Sequence, residues 1–191
     1  MRRRIRKGLA VLLTATMVVG LMPGAGTIKV SAAEGEASVS AATAEGYDEN
    51  GFCTSYELTN GTWALKSGVT ACATHGEACN GYQPAVEELL DYDINGDGTT
   101  GDNDKAYKIT NAGQLYWFAD KVNTDYENYK DKNAVLTTNI TVNEGVLSNG
   151  ELNTENESTF RSWTPIGYQD SSGTKCSYKG IFDGAGNTIT G

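Results

Sequence analysis

A mainly β fold, closed at its open end by one amphipathic helix, is predicted by two observations in the second half of the chain. The first is residues 107–123, YKITNAGQLYWFADKVN, where a short β-prone run leads into Leu115, Phe118, Ala119 and Val122 at i, i+3, i+4 and i+7. That spacing puts all four on one face of a helix with about 3.6 residues per turn. The second is that everything after this stretch is short, β-prone and punctuated by glycine, the pattern of strands separated by tight turns. The two belong together. Burying Leu115, Phe118 and Val122 contributes roughly 1.5–3 kcal/mol each, but a helix of about a dozen residues is marginal alone and needs a surface to lie on.

The chain starts with a different signature. Arg2, Arg3, Arg4, Arg6 and Lys7 precede an apolar run over residues 9–22, and Val30-Ser31-Ala32 has the small residues of a cleavage site. This order is that of a secretory signal peptide over residues 1–32; the apolar run is shorter than the roughly twenty residues that cross a bilayer. Cleavage after Ala32 removes six of the 15 basic groups and none of the 24 acidic ones, leaving nine against 24, a net charge of −15. Such a charge disfavours nucleic acid, which calls for a basic face, and anionic membrane surfaces. No second apolar run follows, so no membrane partner is expected after cleavage. Residues 33–50 are small, acidic and aperiodic, the composition of a disordered tether.

Residues 51–83 hold the cysteine cluster. Cys53, Cys72 and Cys79 lie close in sequence with His75, the chain's one histidine, between the last two, while Cys176 stands apart. In an exported protein these thiols can pair as disulfides, in a connectivity the spacing leaves open. The same residues offer another chemistry: Cys72-x2-His75-x3-Cys79 with Cys53 upstream supplies three thiolates and an imidazole, the donor set of a tetrahedral structural zinc site. The habit of small exported domains favours the bridge.

Residues 84–106 combine a run able to form a short helix, 84–90, with an acidic loop. In DINGDGTTGDND, residues 93–104, oxygen donors fall at loop positions 1, 3, 5 and 12 as Asp93, Asn95, Asp97 and Asp104. The Thr99 carbonyl falls at position 7 and Gly98 at position 6. This is the spacing of a calcium loop of EF-hand type, and a structural calcium ion is expected there. Position 12 is Asp rather than Glu, as in dockerin loops, and a strand-like run rather than a second helix follows. Asx turns alone also favour these residue types.

Within residues 107–191, Asn111 stands as the helix N-cap with Gln114 three residues on, the capping-box spacing. Tyr116 and Trp117 flank the apolar stripe as packing residues. Val135-Leu136 and Ile140-Thr141-Val142 read as short strands, residues 143–158 as a polar loop, and residues 178–191 as two β-prone runs about a Gly-rich turn. Asp183 in that turn is explained by turn chemistry.

Taken as an ordered set, CNGYQPA, NAGQLYWFADKVN, AVLTTNITVN, WTPIG and YKGIFDGAGNTITG resemble the opening of large cell-surface proteins of gut-dwelling Gram-positive bacteria. These carry a GLUG-repeat, pectin-lyase-like right-handed parallel β-helix. The resemblance covers residues 79–191, and residues 178–191 depart only conservatively from the family's F-x-G-x-F-D-G-x-G-x-T-I-x-G pattern. It implies a β-helix solenoid beginning near residue 134, with the helix as its N-terminal cap. About two coils fit in residues 134–191, fewer than the three or so a solenoid requires, so a truncated fragment of a longer protein is expected. The implied function is that of an exported, adhesin-like surface protein whose partner is an extracellular glycan or host matrix. The alternative is a secreted polysaccharide lyase or glycosidase. No catalysis is expected from this chain, since a single histidine in the cysteine loop leaves no Ser/His/Asp set.

Overall fold

The computed structural model describes residues 44–167, 173 and 177–191. The signal peptide, the first part of the tether and Cys176 lie outside the described residues. The central helix α1 (Ala112–Thr124) follows strand β4 (Lys105–Ile109) after a two-residue junction. Asn111 caps it: its backbone is extended and its Oδ1 accepts the Gln114 amide at 2.9 Å. The return arm of the box lands one residue earlier than the spacing suggested. Gln114 Oε1 accepts from the amide and hydroxyl of Thr110, both at 2.8 Å. Asn111 also donates through Nδ2 to Gln83 Oε1 at 2.9 Å. Asn111→Ala removes both interactions, and we expect it to cost about 1–2 kcal/mol, read as a lower urea midpoint at unchanged slope.

The remaining strands and α-helices, in chain order, are β1 (Tyr56–Thr59), β2 (Thr62–Leu65) and β3 (Val86–Leu89) before β4. After α1 come α2 (Tyr126–Tyr129), β5 (Asn133–Leu136), β6 (Ile140–Thr141), β7 (Leu147–Ser148), β8 (Glu151–Leu152), β9 (Phe182–Asp183) and β10 (Ile189–Thr190). Among the described residues the strands form four separate sheets: β3-β4-β5-β9, β6-β10, β1-β2 and β7-β8. In the largest, β3 runs antiparallel to β4, whereas β4, β5 and β9 are mutually parallel, with Tyr107 opposite Ala134 and Ala134 opposite Phe182.

The expected mainly β solenoid is therefore corrected: among the described residues the fold is mixed α/β, with small, separate sheets and two α-helices. The physical reason lies in the strands themselves. Parallel pairing reaches only two residues at β5-β9 and at β6-β10, too short a ladder to stack into coils. Elsewhere the chain turns back on itself: Asn60-Gly61 and Asn149-Gly150 adopt positive φ and close β1-β2 and β7-β8 as antiparallel hairpins, the turn for which Asn-Gly is best suited. Residues 178–191 also differ from a hairpin. The runs on either side of the turn pair with β5 and β6, not with each other. Likewise residues 84–90 contain strand β3 where a short helix was expected; as an edge strand it exposes Val86 and Leu89 and sets Glu87 and Glu88 against Lys132 and Lys108.

The core gathers around α1. Leu115, Phe118, Ala119 and Val122 are buried as the stripe predicts, and so are Tyr116 and Trp117, so the first two turns are covered on nearly every side. Toward the largest sheet, Phe118 meets Tyr107, Tyr178 and Phe182; on the other side Tyr116 meets Phe52 and stacks on Tyr82. Phe52 and Tyr82 belong to the cysteine segment. The helix is thus held between the sheet and the residues that follow the tether.

Candidate metal centre

Residues 44–83 are a lobe with little regular structure, and its shape is set by a few backbone bonds. Asp48 Oδ1 accepts the amides of Asn50 and Phe52, both at 2.9 Å, turning the chain so that Phe52 enters the core and Cys53 follows it. The Cys53 amide donates to Gly81 O at 2.9 Å, bringing the two ends of the cysteine segment side by side. Hairpin β1-β2 then braces the far end. Tyr56 donates its hydroxyl to Cys79 O at 2.6 Å, Trp63 Nε1 donates to Gly81 O at 3.3 Å, and the two rings stack. Gly81, at φ +89°, is obligatory here: a Cβ would sit 2.3 Å from Trp63 Nε1.

This framework brings Cys53, Cys72, His75 and Cys79 together. Their ligand atoms all lie within 4.8 Å of one another. Cys53 Sγ and Cys72 Sγ are 3.3 Å apart and Cys72 Sγ is 3.2 Å from His75 Nδ1. A tetrahedron with Zn–S near 2.3 Å has edges of about 3.8 Å, so an ion would part the shortest separations by up to about half an ångström and draw the longest, within 4.8 Å, in by about one. Among the described residues, Cys53, Cys72 and Cys79 are free thiols rather than bridged; 3.3 Å is well beyond the roughly 2.05 Å of a disulfide.

The histidine is oriented for this role. Its Nε2 lies 3.1 Å from Glu45 O; a carbonyl only accepts, so Nε2 carries the proton and Nδ1 presents its lone pair to the sulfurs. Tyr47 stacks on the ring, centroids 4.4 Å apart. Gly46 lets the chain pass close by: at φ +80°, a Cβ there would meet His75 Cε1 and Thr74 Oγ1 at 2.8 Å. Glu45, Gly46 and Tyr47 fall in the segment expected to be a tether, and the composition of that segment carries no sign of their role.

The electrostatics favour a cation. Burial pushes the Cys72 thiol up, but the His75 amide, the Cys53 thiol, the Ser55 hydroxyl and the Thr74 amide together outweigh it and bring it down to about 6. Burial pushes Cys79 the other way, up to about 12, helped by the neighbouring cysteines against the pull of the Gly81 amide. Burial and then the same cysteines hold the Tyr47 phenol at about 12. Three sulfurs this close cannot all carry charge without compensation, and a divalent ion among them reverses the penalty.

No protein-family model, no curated protein and no solved structure matches this chain. Its chemistry is therefore read from its own donors. Three sulfurs and one imidazole in tetrahedral reach suit Zn²⁺, and four protein donors would leave no open position for a substrate.

The acidic loop is arranged differently. Asp93 Oδ1 accepts the amides of Gly96 and Asp97, Asp93 Oδ2 that of Gly98, Asn95 Oδ1 that of Asp97, and Asp97 Oδ1 the amide and hydroxyl of Thr99. Asp104, fully buried, accepts from Ile94 and Gly101 at 3.0 and 2.8 Å. Asn95 and Asp97 each take the amide two residues on, as Asx turns, while Asp93 reaches amides three to five residues on and Asp104 ties Ile94 and Gly101 together across the loop. Asp183 is also a turn residue, accepting the Ala185 amide at 2.8 Å, and it takes the Tyr92 hydroxyl at 3.0 Å as well. Among the described residues no helix is long and apolar enough to cross a membrane.

Proposed function

We propose that this chain is an exported, non-catalytic surface protein in which residues 44–83 form a zinc-stapled lobe clasping the amino-terminal end of α1. The observation that carries the reading is the convergence of Cys53, Cys72, His75 and Cys79 within 4.8 Å, with His75 already oriented by Glu45. The metal's role is structural, because the lobe has only one short hairpin and few strands of its own with which to hold Cys72 and Cys79 against Cys53. Export is supported by the basic and apolar opening of the sequence. The surface-protein resemblance of residues 79–191 supports an extracellular glycan or host matrix as partner. Asp93, Asn95, Asp97, Thr99 and Asp104 keep the spacing of a calcium loop, and a structural calcium ion there is the second part of this proposal; Asp93 Oδ2, Asn95 Oδ1 and both Asp104 oxygens each hold one amide and retain lone-pair capacity for a hard cation, whereas Asp93 Oδ1 and Asp97 Oδ1 already accept two bonds each.

One measurement tests the metal. Untagged protein purified under reducing conditions, then analysed for metals and for thiols, should hold one zinc per chain with Cys53, Cys72 and Cys79 shielded from a thiol reagent until a chelator is added. Zinc-free protein whose three thiols react at once would overturn the reading. Turnover of a polysaccharide by the purified chain would overturn its non-catalytic part.

A further inference from the structure

We infer that the zinc site is also a thiol redox switch, in which oxidation joins Cys53 to Cys72 and expels the metal; the inference rests on the zinc reading. The two sulfurs are already 3.3 Å apart. Their backbones are held by different bonds, Cys53 N to Gly81 O and Gly76 N to Cys72 O, so the sulfurs can close the remaining distance by side-chain rotation. Both are buried, at 1% and 4% exposure, whereas Cys79 and His75 are partly exposed and form the open side of the site. A small oxidant reaches the sulfurs from that side, and the ion leaves by it.

With hydrogen peroxide as oxidant the step balances. The two thiolates give up two electrons and form an S–S bond. The O–O bond of the peroxide breaks, two protons are taken from solvent, and two waters and Zn²⁺ are released. Cys79 and His75 remain as two donors, too few to retain zinc in a closed tetrahedral site. Because the His75 amide donates to Cys72 Sγ at 3.4 Å and so shapes the turn between these donors, conversion of Cys72 to a disulfide sulfur also loosens the loop that presents His75 to Glu45 and Tyr47.

The test uses the whole chain, first shown to carry zinc. Peroxide is added in stages while a metallochromic indicator records free zinc, thiols are counted, and cysteine pairing is mapped by mass spectrometry. The expected result is one zinc released for every two thiols lost, a Cys53–Cys72 linkage, and recovery of zinc binding after reduction with a phosphine and added zinc. Zinc that stays bound while thiols are lost, or a linkage made through Cys79 instead, would overturn the switch while leaving the zinc reading intact. Absence of zinc from the reduced starting protein overturns both. Cys79→Ser supplies a second check, since it retains the Cys53–Cys72 pair: the same linkage should form under peroxide, whereas a pairing that needs Cys79 should vanish.

Discussion

Removing zinc should lower the melting temperature by roughly 10 °C. At free zinc 100 to 1,000 times the dissociation constant, a site present only in the folded chain contributes about 2.7–4.1 kcal/mol. At about 2–4 °C per kcal/mol for a chain of this size, that gives a shift of roughly 5–16 °C. The effect reaches the whole domain because the lobe is joined to α1 by more than side-chain packing. Gly113 donates its amide to Asn50 O at 2.7 Å and Gln83 donates its own to Gly51 O at 2.8 Å, while Phe52 sits against Tyr116 and Tyr82. Once the sulfurs are no longer tied, residues 68–81 have few bonds of their own, and the clasp on the helix start goes with them. Calorimetry before and after chelation measures the shift, with hydrogen exchange placing it. An unchanged transition in protein shown to have lost its zinc would mean that the lobe stands without the metal.

Gly113→Ala should destabilise by about 3 kcal/mol, the upper part of the usual range for forcing atoms into a packed site. Helix propensity alone predicts the opposite sign, since Ala in place of a helical Gly gains up to about 1 kcal/mol. The structure decides between them. A Cβ on Gly113 would lie 1.9 Å from Gly51 O and 2.3 Å from its carbonyl carbon, and those are backbone atoms that cannot rotate away. Gly51 is itself fixed: at φ +79°, a Cβ on it would lie 2.2 Å from Asn111 Oδ1, the atom that caps the helix. Two glycines face each other so that the lobe's backbone can touch the first turn of α1. Chemical unfolding of the variant measures the loss; a gain in stability would show that this contact is not held in solution.

Local chemistry carried much of this protein in plain view. The i, i+3, i+4, i+7 stripe placed α1, and Asn111 marked its start, because helix periodicity and capping are properties of neighbouring residues. Strand positions near Val135 and Ile140 followed from β-prone runs. Two hairpins are also legible: YELTNGTWAL and LSNGEL each place Asn-Gly between β-capable runs, a local pattern at odds with a stack of parallel coils. The cysteine spacing allowed a zinc ligand set, but disulfides satisfied the same spacing equally well.

By itself, then, the sequence determined which residues could be helix, strand and donor. Only the tertiary structure decided how they were used. The sheets stayed small and separate because strand pairing depends on partners distant in the chain, and no local pattern states how far a parallel ladder will run. The donor set closed because Asp48, Gly81 and Trp63 bend distant segments until four ligand atoms meet. Glu45 and Tyr47 became supports for His75 for the same reason, since a backbone carbonyl acquires a role only when folding carries it to within hydrogen-bond reach of an imidazole.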